Sequence, residues 1–160
     1  MKKLGIILVA MAFVIIGVSS DAAAQFDREF DPVIVLGSEC GDLLSLTAAD
    51  VRVYAFTLNT GVWAPIPFQI DDFKVDNNSD SGKKVEWDGN GLIDGVDEIV
   101  FMAKDLGDKA ADATVWPDDM ESQNYTRYEI VVSDTVLGED RYAYIYYSST
   151  LAMSNTSYIS

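Results

Sequence analysis

Apolar residues along this chain fall into short runs with a period of two, separated by clusters of Asp, Asn, Ser and Gly. That alternation predicts strands with one buried face. Pro32 to Leu36 is a short β-branched run closed by Gly37. Asp50 to Leu58 and Val62 to Ile70 flank Asn59-Thr60-Gly61, which predicts a hairpin. Pro65 and Pro67 donate no ladder bonds, so the second run is expected at a sheet edge or partly irregular. Asp71 to Gly95 is dominated by polar residues and glycine, and strand character resumes at Asp97 to Ala103. Lys104 to Asp112 reads as a polar connection with room for a helical turn, and Trp116-Pro117-Asp118-Asp119 as a break. Two clearer strands follow. Arg127 to Val132 places Tyr128, Ile130 and Val132 on one face, and Arg141 to Tyr147 does the same with Tyr142, Tyr144 and Tyr146. Val136 to Asp140 between them predicts a second hairpin connection.

Outside the N-terminus, no stretch of 12 or more residues sustains a helical period. The expected fold is therefore all-β, a sandwich or partly open barrel with a long acidic loop. The N-terminus has a different pattern. Lys2 and Lys3 precede an uncharged run from Leu4 to Val18, and Ser19-Ser20-Asp21-Ala22-Ala23-Ala24 supplies the small residues of a signal-peptidase site. The run is short beside the roughly 20 residues of a membrane helix. Residues 1–24 thus read as a signal peptide and 25–160 as one β-rich domain, placed in the secreted, periplasmic or cell-surface compartment. An uncleaved anchor is the competing reading. Thr150 to Ser160 resembles the start of another strand-and-turn unit, as if this were the first part of a longer protein.

Charge narrows the partners. Among 160 residues, 26 are acidic, 11 are basic and none is histidine, for a net charge of −15. Nucleic acid and anionic membranes are repelled by such a chain, and histidine-dependent triads and metal sites are excluded. Cys40, the only cysteine, is a small buried residue, a free thiol or half of a bridge to another chain; the burial statistics of cysteine favour the first.

The best-marked chemistry lies in Glu86-Trp87-Asp88-Gly89-Asn90-Gly91-Leu92-Ile93-Asp94-Gly95-Val96-Asp97. Ca²⁺ takes six to eight oxygens, and a twelve-residue loop supplies them from alternate positions around a glycine at position 6. With Gly91 at position 6, Glu86, Asp88 and Asn90 occupy positions 1, 3 and 5. Leu92 offers its carbonyl at 7, Ile93 is the apolar anchor at 8, Asp94 is at 9 and Asp97 at 12. The run resembles the calcium loop of EF-hands, and more closely the Asp-terminated loops of dockerin modules and thrombospondin type 3 repeats. This resemblance covers the loop alone and implies a Ca²⁺ site with those six residues as ligands. Position 1 departs from it, being Glu86 where those families prefer Asp, and neither a flanking EF-hand helix pair nor a second dockerin copy is evident. The bland alternative is an Asx-rich turn that binds nothing. Asp76 to Gly82 has oxygens at similar spacing, but its glycine is one position late and Lys83 and Lys84 follow, so it reads as a solvated loop.

The pair Pro67 to Asp72 and Asp97 to Ala103 resembles, loosely, N-terminal β-domains of large exported bacterial proteins. Asp71 and Asp72 read as opening a solvated loop or lending an oxygen to the calcium site. The Tyr142/Tyr144/Tyr146 stripe reads as a packing layer, with a sugar-stacking platform as the rival. The function expected is a secreted calcium-binding β-domain with a structural or ligand-binding role, its partner a polysaccharide or cell-surface protein. A fragment of a secreted carbohydrate-active enzyme using Asp or Glu is the alternative, although with this many carboxylates a suitably spaced pair has little diagnostic value. Sequencing the N-terminus of the exported chain should give Gln25 as its first residue; a chain still beginning at Met1 would favour the anchor.

Overall fold

The computed structural model describes residues 30–75, 84–87, 89–112, 115–134 and 138–158, without the side chains of residues 74–75 and 84–87. The signal-peptide reading lies outside them, as do Asp88 and the segment 76–82. The fold is an all-β sandwich of antiparallel sheets that do not close into a barrel. One sheet has the order β1-β7-β4, from β1 (Pro32–Leu36), β7 (Glu98–Met102) and β4 (Gln69–Asp71). The other is β3-β2-β9-β8, from β2 (Val51–Thr57), β3 (Val62–Pro65), β8 (Tyr128–Asp134) and β9 (Glu139–Tyr147). A two-stranded ribbon joins β5 (Phe73–Val75) to β6 (Lys84–Trp87).

Alternation along the strands sorts the side chains into two layers. Val51 and Val53 of β2, Ala143, Ile145 and Tyr147 of β9, and Val35, Ile99 and Phe101 of the smaller sheet meet in the inter-sheet core. The opposite faces of β2 and β9 carry Tyr54, Phe56, Tyr144 and Tyr146, which form a second apolar cluster with Ala110 and Leu151. Trp116 packs on this layer, 5.3 Å from Tyr146 between ring centroids. Aromatic rings meet here mostly edge to face: Trp63 stands 4.9 Å from Tyr144 and 5.9 Å from Tyr146, a geometry favoured by the ring quadrupoles. Tyr144 and Tyr146 are fully buried. The tyrosine stripe is therefore a packing layer, and neither of these rings is open to stack on a ligand.

Several sequence expectations are refined. The proline-containing run divides: Val62–Pro65 remains at the edge of one sheet, while Gln69–Asp71 crosses to the edge of the other. Both prolines sit where no central ladder needs their missing N–H groups. The polar centre is not all loop, since β5 and β6 pair within it with a register shift between Lys74 and Val75. The helical turn is a 3-10 turn at Ala103–Asp105. No strand forms among the described residues after Tyr147. Instead the carbonyl of Leu151 accepts from Arg52 Nε at 2.8 Å and that of Ala152 from the Tyr54 hydroxyl at 2.7 Å. Those side chains draw the segment onto the aromatic layer. Among the described residues, no helix is long and apolar enough to cross a membrane.

Close backbone approach explains Gly107. A Cβ there would lie 2.3 Å from the carbonyl oxygen of Phe56, because Gly107 exchanges hydrogen bonds with Tyr142 while its neighbour Asp108 donates to Phe56. Gly107→Ala should destabilise the fold by about 1–3 kcal/mol, read as a lower urea midpoint with little change in slope.

Candidate functional site

The loop between β6 and β7 is held on one side by the segment before β2. Ile93 donates to Leu46 O and accepts from Ser45 N, and Gly91 O accepts from Ala48 N, all at 2.8–2.9 Å. Thr47 and Leu92 form an isolated antiparallel bridge. Ile93 is fully buried in the inter-sheet core, so the apolar residue of the loop anchors it to its neighbours. Gly89 and Gly91 have φ of +63° and +73°, the left-handed conformation that glycine takes without a side-chain penalty. The chain thereby turns back sharply and exposes Asn90 and Leu92 while Ile93 points inward.

Asp97 closes the loop from within. Its side chain is 0% exposed. Oδ2 accepts from the Asp94 N–H at 2.6 Å and Oδ1 from the Phe73 N–H at 2.7 Å. In return Asp97 N donates to Asp94 O at 3.2 Å. One carboxylate thus ties the loop, β5 and the start of β7 together. Gly37 packs against the same turn. It donates to Asp97 O at 2.9 Å, and a Cβ at Gly37 would lie 2.0 Å from Asp94 O; only glycine admits that approach.

Two further side chains join. The Asn90 side chain accepts from Leu92 N at 2.7 Å and donates to Asp94 Oδ2 at 3.1 Å. Asp72, just before β5, accepts from Gly91 N at 3.1 Å through Oδ2. Its other oxygen, Oδ1, is buried and has no hydrogen-bond partner. Among the described residues, no lysine or arginine pairs with Asp72, Asp94 or Asp97. Burial pushes the Asp97 pKa above its usual value. The two N–H bonds pull it down without offsetting this, and the nearby charges of Asp72 and Asp94 raise it further.

Of the six residues assigned from sequence, Asn90, Asp94 and Asp97 are brought together. Leu92 sits on the exposed rim. The backbone of Glu86 lies in β6, paired with Lys74; its side chain and the whole of Asp88 lie outside the described residues. Among the described residues, no three His, Cys, Asp or Glu side chains form a ready cage for a metal ion. Asp72 is the addition. Its place in the Gln69-Ile70-Asp71-Asp72 run hints at an oxygen near the loop, but the strand pairing of β4 with β7 is what delivers it there.

Cys40 is fully buried, in the inter-sheet core cluster, and unpaired. Burial, with the adjacent Glu39 charge, raises its pKa to about 11, so it carries little thiolate at neutral pH.

No family profile, curated protein or solved structure matches this chain.

A carboxyl group with a raised native pKa binds protons more tightly folded than unfolded. Ionising Asp97 in the absence of divalent ions therefore costs stability as pH rises from the usual 3.8 through its elevated value. The gap in urea stability between the native chain and Asp97→Asn in EDTA should narrow over that window. Asp97→Asn should still lose about 1–3 kcal/mol, because its NH₂ would face one of two backbone donors.

Proposed function

We propose that this chain is an exported β-sandwich module stabilised by one Ca²⁺ in the loop Glu86–Asp97. The reading rests on one observation above all. Asp72, Asp94 and Asp97 gather around the turned-back loop, with a buried Asp72 oxygen lacking a partner and no protein cation paired to them among the described residues. Clustered carboxylates at a protein interior normally ionise only against a compensating charge. A hard divalent cation recognised by oxygen ligands is the chemistry that suits such a donor set.

Glu86, Asp88, Asn90, the Leu92 carbonyl, Asp94 and Asp97 are the ligands assigned from the loop spacing, and Asp72 joins them. Asp97 already accepts one N–H on each oxygen; an ionised carboxylate keeps a second lone pair on each for a cation. Charge neutralisation would remove the repulsion within the cluster, and the ion would fix the loop against β5 and β7. The role is structural: the ion holds an acidic edge of the sandwich in one shape. Extracytoplasmic calcium modules bind with Kd of about 10⁻⁴–10⁻³ M, which suits the compartment implied by the N-terminal sequence.

At 2 mM Ca²⁺ such affinities stabilise by about 0.6–1.8 kcal/mol, a rise in Tm of about 2–7 °C over the value in EDTA. Asp72→Asn and Asp88→Ala should each remove most of that increment. Superimposable melting curves in EDTA and Ca²⁺ would defeat the proposal.

A further inference from the structure

At the edges of the two larger sheets stand β1, β4, β3 and β8. Proteins blunt such edges with proline, lysine, bulges or short strands. β1 opens with Pro32, β3 ends at Pro65 after four residues, and β4 has only three. β8 has none of these devices. Its seven residues, Tyr128–Asp134, include no proline, glycine, lysine or arginine, and they pair with β9 without a register shift. We propose that the free edge of β8 is a docking site for an extended basic segment of a partner protein. The inference stands apart from the calcium loop and requires no metal.

Tyr142 fixes the direction of the backbone groups. In an antiparallel ladder, opposed residues either exchange both hydrogen bonds or make neither. Tyr142 N donates to Gly107 O at 3.0 Å, and Tyr142 O accepts from Gly107 N at 2.9 Å. The Tyr142 backbone is therefore spent on the side away from β8. Val131 lies opposite Tyr142, so it makes no ladder bond, and its N–H and C=O face outward. Those of Glu129 and Ser133, two positions away on either side, face the same way. No described residue bonds to these groups. Val131 is 49% exposed. An added strand thus meets a regular row of donors and acceptors, centred on Val131.

A cavity of about 150 Å³ beside this edge decides the occupant. It lies between the end of β8 and the start of β1. Pro32, Val33, Ala103 and Val132 give it apolar walls, Asp31 and Asp134 add two carboxylates, and no lysine or arginine lines it. Sites for small molecules are larger, at about 300–1,000 Å³; this one has room for a single side chain. A residue of the added strand opposite Val132 shares its face of the sheet and points toward the cavity. Strand addition draws affinity from the main chain and specificity from such pockets. Lysine or arginine fits here, its apolar stem along the walls and its charged head at the carboxylates. Glutamate is repelled. A second copy of this chain would bring a net charge of −15 against an equal charge. In the two-fold register centred on Val131 it would also set Ile130 opposite Val132, which supplies no cation.

The test is fluorescence anisotropy of the labelled peptide Thr-Val-Lys-Val-Lys-Val-Lys-Val-Thr with the purified chain, in EDTA at physiological ionic strength. The peptide should bind saturably, and its counterpart with glutamate for lysine should not. Methylating the valine nitrogens keeps the charge, blocks the pairing edge and should weaken binding about tenfold or more. Val131→Pro removes one outward N–H and no ladder bond, so it should melt as the native chain does and weaken binding about three- to tenfold. The methylated peptide reads the same bonds without altering the fold. Asp31→Asn should weaken binding about threefold. No saturable binding of the lysine peptide, equal binding of the glutamate or methylated peptide, affinity unchanged in both variants, or a sedimenting dimer that Val131→Pro dissolves would each overturn the proposal.

Discussion

The pairing of β2 with β9 is the contact on which the rest of the molecule depends. Val51 to Tyr54 lies against Tyr147 to Tyr144, and both strands are buried on both faces along most of that length. One face closes the inter-sheet core and the other carries the aromatic layer. Ordinary sandwiches alternate buried and solvated positions; here the outer face of the central pair is covered as well. Arg52 shows how strict that coverage is. It is almost fully buried, and its guanidinium is satisfied by the carbonyls of Ala49, Val51 and Leu151. The charge-assisted bonds make a buried cation tolerable and fasten the C-terminal segment to the sheet.

Two segments outside the strands are fixed to this framework by acidic side chains. The loop before β7 is organised by one buried carboxylate, Asp97, whose backbone bonds reach Phe73 and Asp94. The turn after β9 is organised by Asp119 and Glu121, whose bonds reach Ser148, Ser149 and Thr150. In each case an acidic side chain caps backbone or hydroxyl donors across a long sequence gap. The heavy acidic content of the chain therefore has an internal use, since carboxylates accept several bonds at once. Surface ion pairs contribute little by comparison: Lys109–Glu129 and both Arg141 pairs are long or solvent-exposed.

Much of the fold was legible because the strands alternate cleanly. The β2–β3 and β8–β9 hairpins follow from Asn59-Thr60-Gly61 and from the polar residues around Gly138. The Tyr142/Tyr144/Tyr146 stripe also signalled its face, although only the tertiary arrangement tells which layer covers it. Period-two patterns do not specify which strands pair at long range. The split at Pro65-Ile66-Pro67 and the ribbon within the polar centre were hidden for that reason. Ile66 itself is buried and donates to Val53 O, which holds the crossing chain to the core between two prolines. At the loop, Gly91 and Ile93 were readable from local conformational need. Asp72 was less so, because a contact between residues 72 and 91 is created by strand order. Val33, Ala103 and Val132 are far apart in sequence, and no local rule brings them to one cavity.

The long reach of the central pair also governs how this chain must assemble. Val51 cannot find Tyr147 until the chain has been made through β9. Until then β2 presents two apolar faces and an unsatisfied edge. Topologies dominated by such distant pairings form slowly, and half-made sheets of this kind readily join with one another. A copy lacking β9 would be a sticky intermediate, so this chain gains from being held extended until β9 has been made.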